Sequence, residues 1–265
     1  MEHSDPDSLR SNSNSNNPEV PTQDSSRFPL GLPILETIDN VHECSYLAGF
    51  TANLPLRLPK RILTPDELDY VLSRGIRRSG VFLYHTDCAH CKACEPTRVD
   101  VTRFSLRGSF RRVLDRGDRE LRMAVCAPFL DEDRIRLFNQ HRTQRGLGES
   151  DQEYQASDYA NFLVDTCCPQ TIELSFWLAK ELVGVSIIDC GRLAMSAVYT
   201  FFDPQYSRLS IGTYSILKQI EFAQKSNRQF VYLGLYVQQN QHLNYKARFT
   251  PQERLIDGRW VAFEA

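Results

Sequence analysis

No stretch of this 265-residue chain comes near the roughly 18–20 consecutive apolar residues that a membrane span requires, so no contact with a membrane is expected. Positive charge is not in surplus either. Lys and Arg number 31 against 33 Asp and Glu, a net charge of −2, which disfavours a generally basic nucleic-acid binder but leaves room for a local basic patch. No internal repeat is visible. A CoA-binding loop of the form Arg/Gln-x-x-Gly-x-Gly/Ala is missing as well: "RLSIGTY" has the wrong spacing and lacks the second small residue. Hydrophobes are nearly absent from residues 1–29, where "SNSNSNNPE" cannot bury enough to offset ordering entropy. That segment is expected to be a disordered tail, with structure beginning near Leu30. Elsewhere hydrophobic residues are plentiful, 42% overall, enough for one large domain or two small ones.

Cysteine is abundant, with eight residues. The adjacent pair Cys167–Cys168 makes a poor disulfide framework, and reduced thiols in a cytoplasmic protein are expected. "HTDCAHCKACEPTR" places Cys88, Cys91 and Cys94 three apart. A closed structural zinc site needs four ligands. Cys44, in "ECSYL", is the best fourth, with His85 and His90 as fallbacks. Soft thiolates suit zinc or an iron–sulfur cluster. The competing reading is a loop packed by reduced thiols. Cys126, Cys167, Cys168 and Cys190 are assigned to core or indifferent positions.

"TPDELDYVLSRG" reads as a helix with Thr64 as N-cap, Pro65 at the first position, Glu67 closing a capping box and Gly75 as the stop. Strands are expected at "VFLYHT" and "TRVDV", flanking the cysteines. "EDRIRLFNQHRTQRG" is expected to be a helix ending at Gly146, and "SDYANFL" to begin another capped by Ser157. Beyond Pro169 come the strands "TIELSFWL", "LVGVSIID" and "LAMSAVYTFFD", the helix "LSIGTYSILKQIEFAQKSN" and the buried strand "FVYLGLYV". Three antiparallel strands, a Gly-containing entry to a helix and a further strand follow the core order of the GNAT-like acyltransferase fold. The expectation is therefore α+β, with a mixed, largely antiparallel sheet flanked by helices. It divides into a Cys/Arg-rich region at 30–150 and a GNAT-like region at 151–265, the first half being conceivable as a diverged copy of the second.

Seven segments in register carry a family resemblance: "CSYL", "RRSGVFLYHTDCAHCKACEPTRV", "FRRVLDR", "MSAVYTFFDP", "SIGTYSILKQIE", "YLGLYV" and "NYKARFTPQE". Together they resemble the bacterial aspartate/glutamate leucyltransferases, relatives of the arginyl-tRNA–protein transferases. The family's usual proline after "CSYL" is Ala48 here. The segment after "YLG" departs as well, at Leu235, Tyr236, Asn240 and His242. The resemblance implies a GNAT-like enzyme of the N-degron pathway of protein degradation. It would move an amino acid from a charged tRNA to the α-amine of a protein beginning with Asp or Glu. The bacterial branch implies leucine from leucyl-tRNA; the wider family implies arginine from arginyl-tRNA. It also raises the prospect of a cysteine-bound metal.

Such chemistry sets four demands. The donor is an activated ester, and an α-amine has a pKa of about 7.7–8.0, so no nucleophilic side chain and no cofactor is required. Positioning, a stabilised oxyanion and a proton exit suffice. For the acidic side chain, Arg77 and Arg78 with Ser79 are candidates, because a guanidinium fork matches a carboxylate; the plain alternative is two surface arginines on a turn. For positioning, Ser210 and Gly212 open a helix whose N-terminus could hold a phosphate of the tRNA end, or the glycine merely lets the helix pack. Around the ester, Tyr199, Asp203, Tyr245 and Lys246 could handle the proton, and Arg248 or Lys246 could touch ribose or phosphate, although Asp203-Pro204 is also an ordinary turn starter. For tRNA, the stretch from Arg98 to Arg122 holds eight arginines against four acids. Arg107, Arg111, Arg112 and Arg116 are the candidates there, unless they form a solvated, salt-bridged face.

Overall fold

The structure, a computed structural model, describes residues 31–146 and 153–264. The expected tail, residues 1–29, and the expected start near Leu30 therefore lie outside the described residues. The chain first lays down β1 (Ile34–Ile38), β2 (Val41–Glu43), β3 (Thr51–Asn53) and β4 (Leu56–Pro59). Helix α1 (Pro65–Ser73) follows, with the expected capping box: Glu67 N donates to Thr64 Oγ1 at 3.3 Å and Thr64 N to Glu67 Oε2 at 2.8 Å. Gly75 stops it at φ +76°, a left-handed conformation that suits glycine. Next come β5 (Arg77–Ser79), β6 (Phe82–Tyr84) and β7 (Glu95–Asp100), with the cysteine loop between the last two. β1, β4, β6 and β5 form one antiparallel sheet, and β2 pairs with β3.

The arginine-rich stretch is helical, as α2 (Gly108–Glu120), and runs directly into a strand that sequence patterning did not anticipate, β8 (Leu121–Cys126). Helix α3 (Glu132–Gln144) is capped by Asp131, whose side chain accepts from Arg134 N at 2.8 Å. The short helix α4 (Ala156–Tyr159) continues into a wide turn, Ala160–Val164. Its cap is Gln155, not Ser157: Asp158 Oδ2 accepts from Gln155 N at 2.9 Å, so the carboxylate three residues on selects the start.

Then follow β9 (Thr171–Leu178), β10 (Glu181–Cys190), β11 (Ala194–Phe202), α5 (Ile211–Lys225), β12 (Phe230–Tyr236), β13 (Gln252–Ile256) and β14 (Arg259–Phe263). The large sheet has the order β14-β13-β7-β12-β11-β10-β9-β8. Its β8-to-β12 portion is the GNAT-like core, antiparallel except for the β11–β12 pair. This core starts at Leu121, and β7 is threaded between β12 and β13. Residues before and after position 150 thus share one sheet, because the edge of β12 left open by the core is completed by β7.

Two cores flank that sheet. On one face α2 and α5 pack through Phe110, Leu114, Ile211, Tyr214, Leu217 and Ile220. On the other, α3 and α4 pack through Leu137, Phe138, Tyr159 and Leu163 on Leu182, Val185, Ile187 and Phe201. Each fully buried side chain of this size contributes about 1.5–3 kcal/mol. α2 comes close to α5 at Gly117, where a Cβ would lie 2.3 Å from the Tyr214 ring.

Candidate active site

The parallel β11–β12 ladder holds for three pairs, Ala194–Phe230, Met195–Val231 and Ser196–Tyr232, and then ends. Beyond it the strands part. Residues Ala197 to Thr200 of this central strand are only half-buried, and we call the space left by the parting strands the cleft. One carbonyl orphaned by the parting, Ala197 O, accepts from Arg77 Nη2 at 3.1 Å. On the opposite strand Gly234 sits at φ +96° in a β-bulge, and a Cβ there would lie 2.7 Å from Arg77 Nη1. Both strands are therefore shaped around the Arg77 guanidinium.

Lys246 adjoins it. The residue is 5% exposed and its Nζ donates to Leu235 O at 2.6 Å. Burial, with Arg77 adding repulsion, holds its amine down at about 7, against a smaller opposing pull from Cys94. Tyr46 closes this end; burial raises its phenol, which also feels Arg77, Cys94 and Cys44, and its carbonyl accepts from Asn240 Nδ2 at 3.0 Å. Farther along the cleft are Tyr199 and Tyr245. Burial raises Tyr199 above its ordinary range, and Arg142 pulls it back. Tyr245 is 39% exposed. Arg145, from the end of α3, acts on Tyr245 and lies 3.2 Å from His242. The charged neighbours acting on Lys246 and Tyr245 are arginines and a thiol, with no carboxylate among them.

The other expected site residues separate from this group. Strand alternation turns Arg78 to the face opposite Arg77. There its Nε donates to Asp189 Oδ2 at 2.7 Å, with both side chains 2% exposed, and its Nη1 reaches the carbonyls of Gly80, Phe162 and Asp165. Arg78 is a core residue, and Ser79 ends the strand paired with Phe82. Asp203 is 3% exposed and caps a short 3₁₀ helix (Pro204–Leu209), accepting from Gln205 N at 2.8 Å. Its turn-forming role accounts for its contacts. Ser210 adopts φ +49° at the start of α5, and a Cβ on Gly212 would meet the Phe202 ring at 3.0 Å. Arg107, the N-cap of α2, and Arg111 and Arg112 within it are exposed, whereas Arg116 donates to the Arg208 carbonyl. Arg248 is exposed, 5.7 Å from the Phe110 ring at the start of α2.

The cysteines converge beside the cleft. Burial, then Cys44, Cys88 and Cys91 in that order, push the Cys94 thiol up to about 12. Cys88 Sγ accepts from Asn53 N at 3.4 Å. Four thiols are a donor set suited in kind to zinc or an iron–sulfur cluster. Among the described residues, however, no three His, Cys, Asp or Glu side chains stand in a ligating arrangement. Cys167, Cys168 and Cys190 are buried and Cys126 is half-buried.

The sheet parts between its parallel strands β11 and β12, in the strand order of a GNAT-like fold, with Arg77 and Lys246 beside the parting. Family models described as the N terminus and the C terminus of arginine-tRNA-protein transferase match residues 42–112 and 133–256. The chain belongs to the arginine-tRNA-protein transferase family, whose members are aminoacyltransferase enzymes. It is 32% identical over 83% of its length to an aspartate/glutamate leucyltransferase of Methylobacillus flagellatus, covering 88% of that relative. It is 34% identical over 83% to one from Acinetobacter baumannii, covering 80%. A third, from Thiobacillus denitrificans, is 32% identical over 84%, with 92% covered. Among solved structures, the C-terminal domain of a lysylphosphatidylglycerol synthetase from Agrobacterium fabrum overlays at TM-score 0.44 and 15% identity, over 71% of this chain and 59% of that one. FemX overlays at 0.43 and 6% identity, over 76% and 79%. No helix among the described residues is long and apolar enough to cross a membrane.

Sequence reasoning passed over Tyr46, Arg142 and Arg145. Tyr46 stood inside the quoted "CSYL", and the two arginines lay on a segment read only as an amphipathic helix ending at Gly146.

Proposed function

We propose that the protein transfers leucine from leucyl-tRNA to the α-amine of proteins that begin with Asp or Glu, in the cytoplasm. One observation carries the reading: the floor of the cleft holds Arg77 and Lys246 with no carboxylate acting on Lys246. The Arg77 guanidinium attracts an acidic N-terminal side chain and can satisfy it bidentately, with Lys246 beside it as a neutral amine. The same guanidinium repels the cationic side chain of an arginyl donor, which favours a neutral one. The names of the three relatives agree with that choice.

In this reading the α-amine attacks the ester carbonyl carbon, the C–N bond forms, and the C–O bond to the tRNA ribose breaks. The proton released by the amine goes to Lys246, whose Nζ can donate one N–H to Leu235 O and keep its lone pair, and it passes on to the departing ribose oxygen, which leaves as a hydroxyl. Tyr199 and Tyr245 flank the reacting ester. The exposed arginines Arg107, Arg111 and Arg112 of α2 offer a duplex-facing phosphate surface. Cys44, Cys88, Cys91 and Cys94 are the set that would take zinc or an iron–sulfur cluster, holding the Tyr46 loop against the cleft. Metal analysis of protein purified without oxygen tests that part; full activity with neither zinc nor iron present would remove it.

The transfer itself is tested with tRNA charged with labelled leucine or arginine and peptides beginning Asp, Glu or Ala. Leucine incorporation into the Asp and Glu peptides alone is expected. Arginine as the better donor, or incorporation into the Ala peptide, would overturn the reading.

A further inference from the structure

The β2–β3 hairpin stands beside the Arg77 end of the cleft and is lightly built. Three residue pairs join it, Val41–Asn53, His42–Ala52 and Glu43–Thr51, and it belongs to neither of the other two sheets. Val41 and Phe50 are exposed on it. Its base is tied to the cysteine loop: Asp87 N donates to Asn53 O at 2.8 Å and Asn53 N to Cys88 Sγ at 3.4 Å. Its tip, residues 44–50, carries Tyr46. The Tyr46 phenol stands in the field of Tyr84 and Arg77, which are cross-strand partners on β6 and β5.

Asn240, in the loop after β12, holds that tip. Its Nδ2 donates to Tyr46 O at 3.0 Å, and among the described residues this is the tip's one hydrogen bond to another part of the chain. The amide cannot be turned round. Its Oδ1 already accepts from His242 N at 2.8 Å, an Asx turn, so Nδ2 is the atom left for the Tyr46 carbonyl. The backbone of Asn240 is engaged too: its N donates to Val237 O at 3.1 Å, and its carbonyl accepts from Leu243 N at 3.0 Å and Asn244 N at 2.8 Å. Every polar atom of Asn240 is therefore paired inside its own loop except Nδ2, which is spent on the hairpin.

In the transfer reading, the space behind the tip is where the acceptor amine enters, and where water would enter in its place. Hydrolysis uses the same carbon. A water oxygen forms the new C–O bond and the C–O bond to the tRNA ribose breaks. One water proton ends on the ribose oxygen, and the other leaves as the freed amino acid ionises. Covering loops suppress such side reactions by excluding water. We propose that Asn240 is a positioning residue of the transfer reaction: by latching the hairpin tip it keeps Tyr46 against Arg77, which shapes the acceptor pocket and keeps water from the ester. The inference rests on the transfer reading for its substrates. The latch itself can be tested without transfer.

The test uses the full chain and Asn240→Ser, which retains a side-chain oxygen for the turn at His242 and is too short to reach Tyr46. Amide hydrogen exchange across residues 44–50 is expected to quicken about three- to tenfold, the worth of one hydrogen bond. The KM for a peptide beginning with Asp is expected to rise by the same about three- to tenfold, with kcat and the dissociation constant for uncharged tRNA held within about twofold, the pattern of lost acceptor binding. Release of labelled leucine from leucyl-tRNA in the absence of peptide is expected to accelerate. Unchanged exchange would overturn the proposal. So would faster exchange with both the peptide KM and the hydrolysis rate unaltered, or a tRNA affinity that weakens as much as the KM rises. If Asn240→Ser fails to fold, Asn240→Asp keeps the turn and sets a carboxylate oxygen against the Tyr46 carbonyl; it is read by exchange and by hydrolysis without peptide. Failed transfer by the unaltered enzyme would strike the proposed function, and exchange alone would then decide the latch.

Discussion

Arg77 Nη2 donates to the carbonyl oxygen of Ala197 at 3.1 Å, one residue past the last parallel pair between β11 and β12. In a continuous ladder that carbonyl would be bonded by the neighbouring strand. The parting of the strands leaves it without that partner, and a guanidinium takes the place of the backbone N–H. One bond fixes the side chain, and the remaining N–H groups of the fork are left for a ligand.

Gly234 should be the least tolerant glycine of the cleft. Alanine there combines φ +96° with a Cβ 2.7 Å from Arg77 Nη1. Gly234→Ala is expected to raise KM for acidic peptides at least tenfold while the dissociation constant for tRNA stays put. Steady-state kinetics with each substrate varied in turn checks this. A wild-type peptide KM would show that the guanidinium is not positioned by Gly234.

Lys246→Arg keeps the positive charge but cannot become neutral. If Lys246 takes the proton, kcat should fall by about 10²–10⁴-fold with the peptide KM little changed. If it served only as a fixed cation, Arg would retain most of kcat. Single-turnover rates under saturating substrates separate the two.

Arg78 and its partner Asp189 are 2% exposed. Removing one member of such a pair strands a buried charge and costs about 3–5 kcal/mol. Arg78→Met is therefore expected to lower the urea midpoint sharply, and adding Asp189→Leu to recover part of the loss. Equal stability of Arg78→Met and the unaltered protein would contradict the core assignment.

His141 makes stability depend on pH. Burial, with Arg145 and Arg142 adding repulsion, drives it from its ordinary 6.5 down to about 4, while its contact with the Phe202 carbonyl pulls the other way. Between those values the unfolded chain binds more protons than the folded one. The contribution is complete above about pH 6.5 and is lost as pH falls towards 4, amounting to about 3 kcal/mol. Urea titrations at both ends of that window should show His141→Gln losing less stability on acidification than the unaltered protein. An identical loss would contradict the assignment.

Much of this was legible beforehand where local rules act alone. The Thr64 capping box, the Gly75 stop and the strand–helix order from Thr171 to Tyr236 all follow from periodicity and turn chemistry. β8 was not legible, because "LRMAVC" follows a helix with no breaker and lies at a sheet edge where Val125 stays 46% exposed. The β13–β14 hairpin was passed over, although its two-residue Asp257-Gly258 turn, with φ +46° and +78°, carried a sequence signal. The site was half legible. "RRSG" announced a guanidinium, but only the partner strands decide which of Arg77 and Arg78 faces the cleft. Asp203 looked chemical in sequence and is spent on a cap. Arg142 and Arg145 come to the site through contacts with Tyr199, Tyr154 and His242, which no local pattern displays.

The central claim is that the cleft reads the charge of the acceptor side chain through Arg77. The direct measurement is kcat/KM for peptides identical except for Asp or Asn at the first position, in the unaltered enzyme and in Arg77→Gln. A desolvated charge-assisted pair distinguishes the two by about 1.5–3 kcal/mol, roughly ten- to a hundredfold. That preference for Asp should be present in the unaltered enzyme and shrink to within a few-fold in Arg77→Gln, mainly through loss of the Asp rate. A preference that survives the substitution intact would place the recognition of the acidic side chain elsewhere.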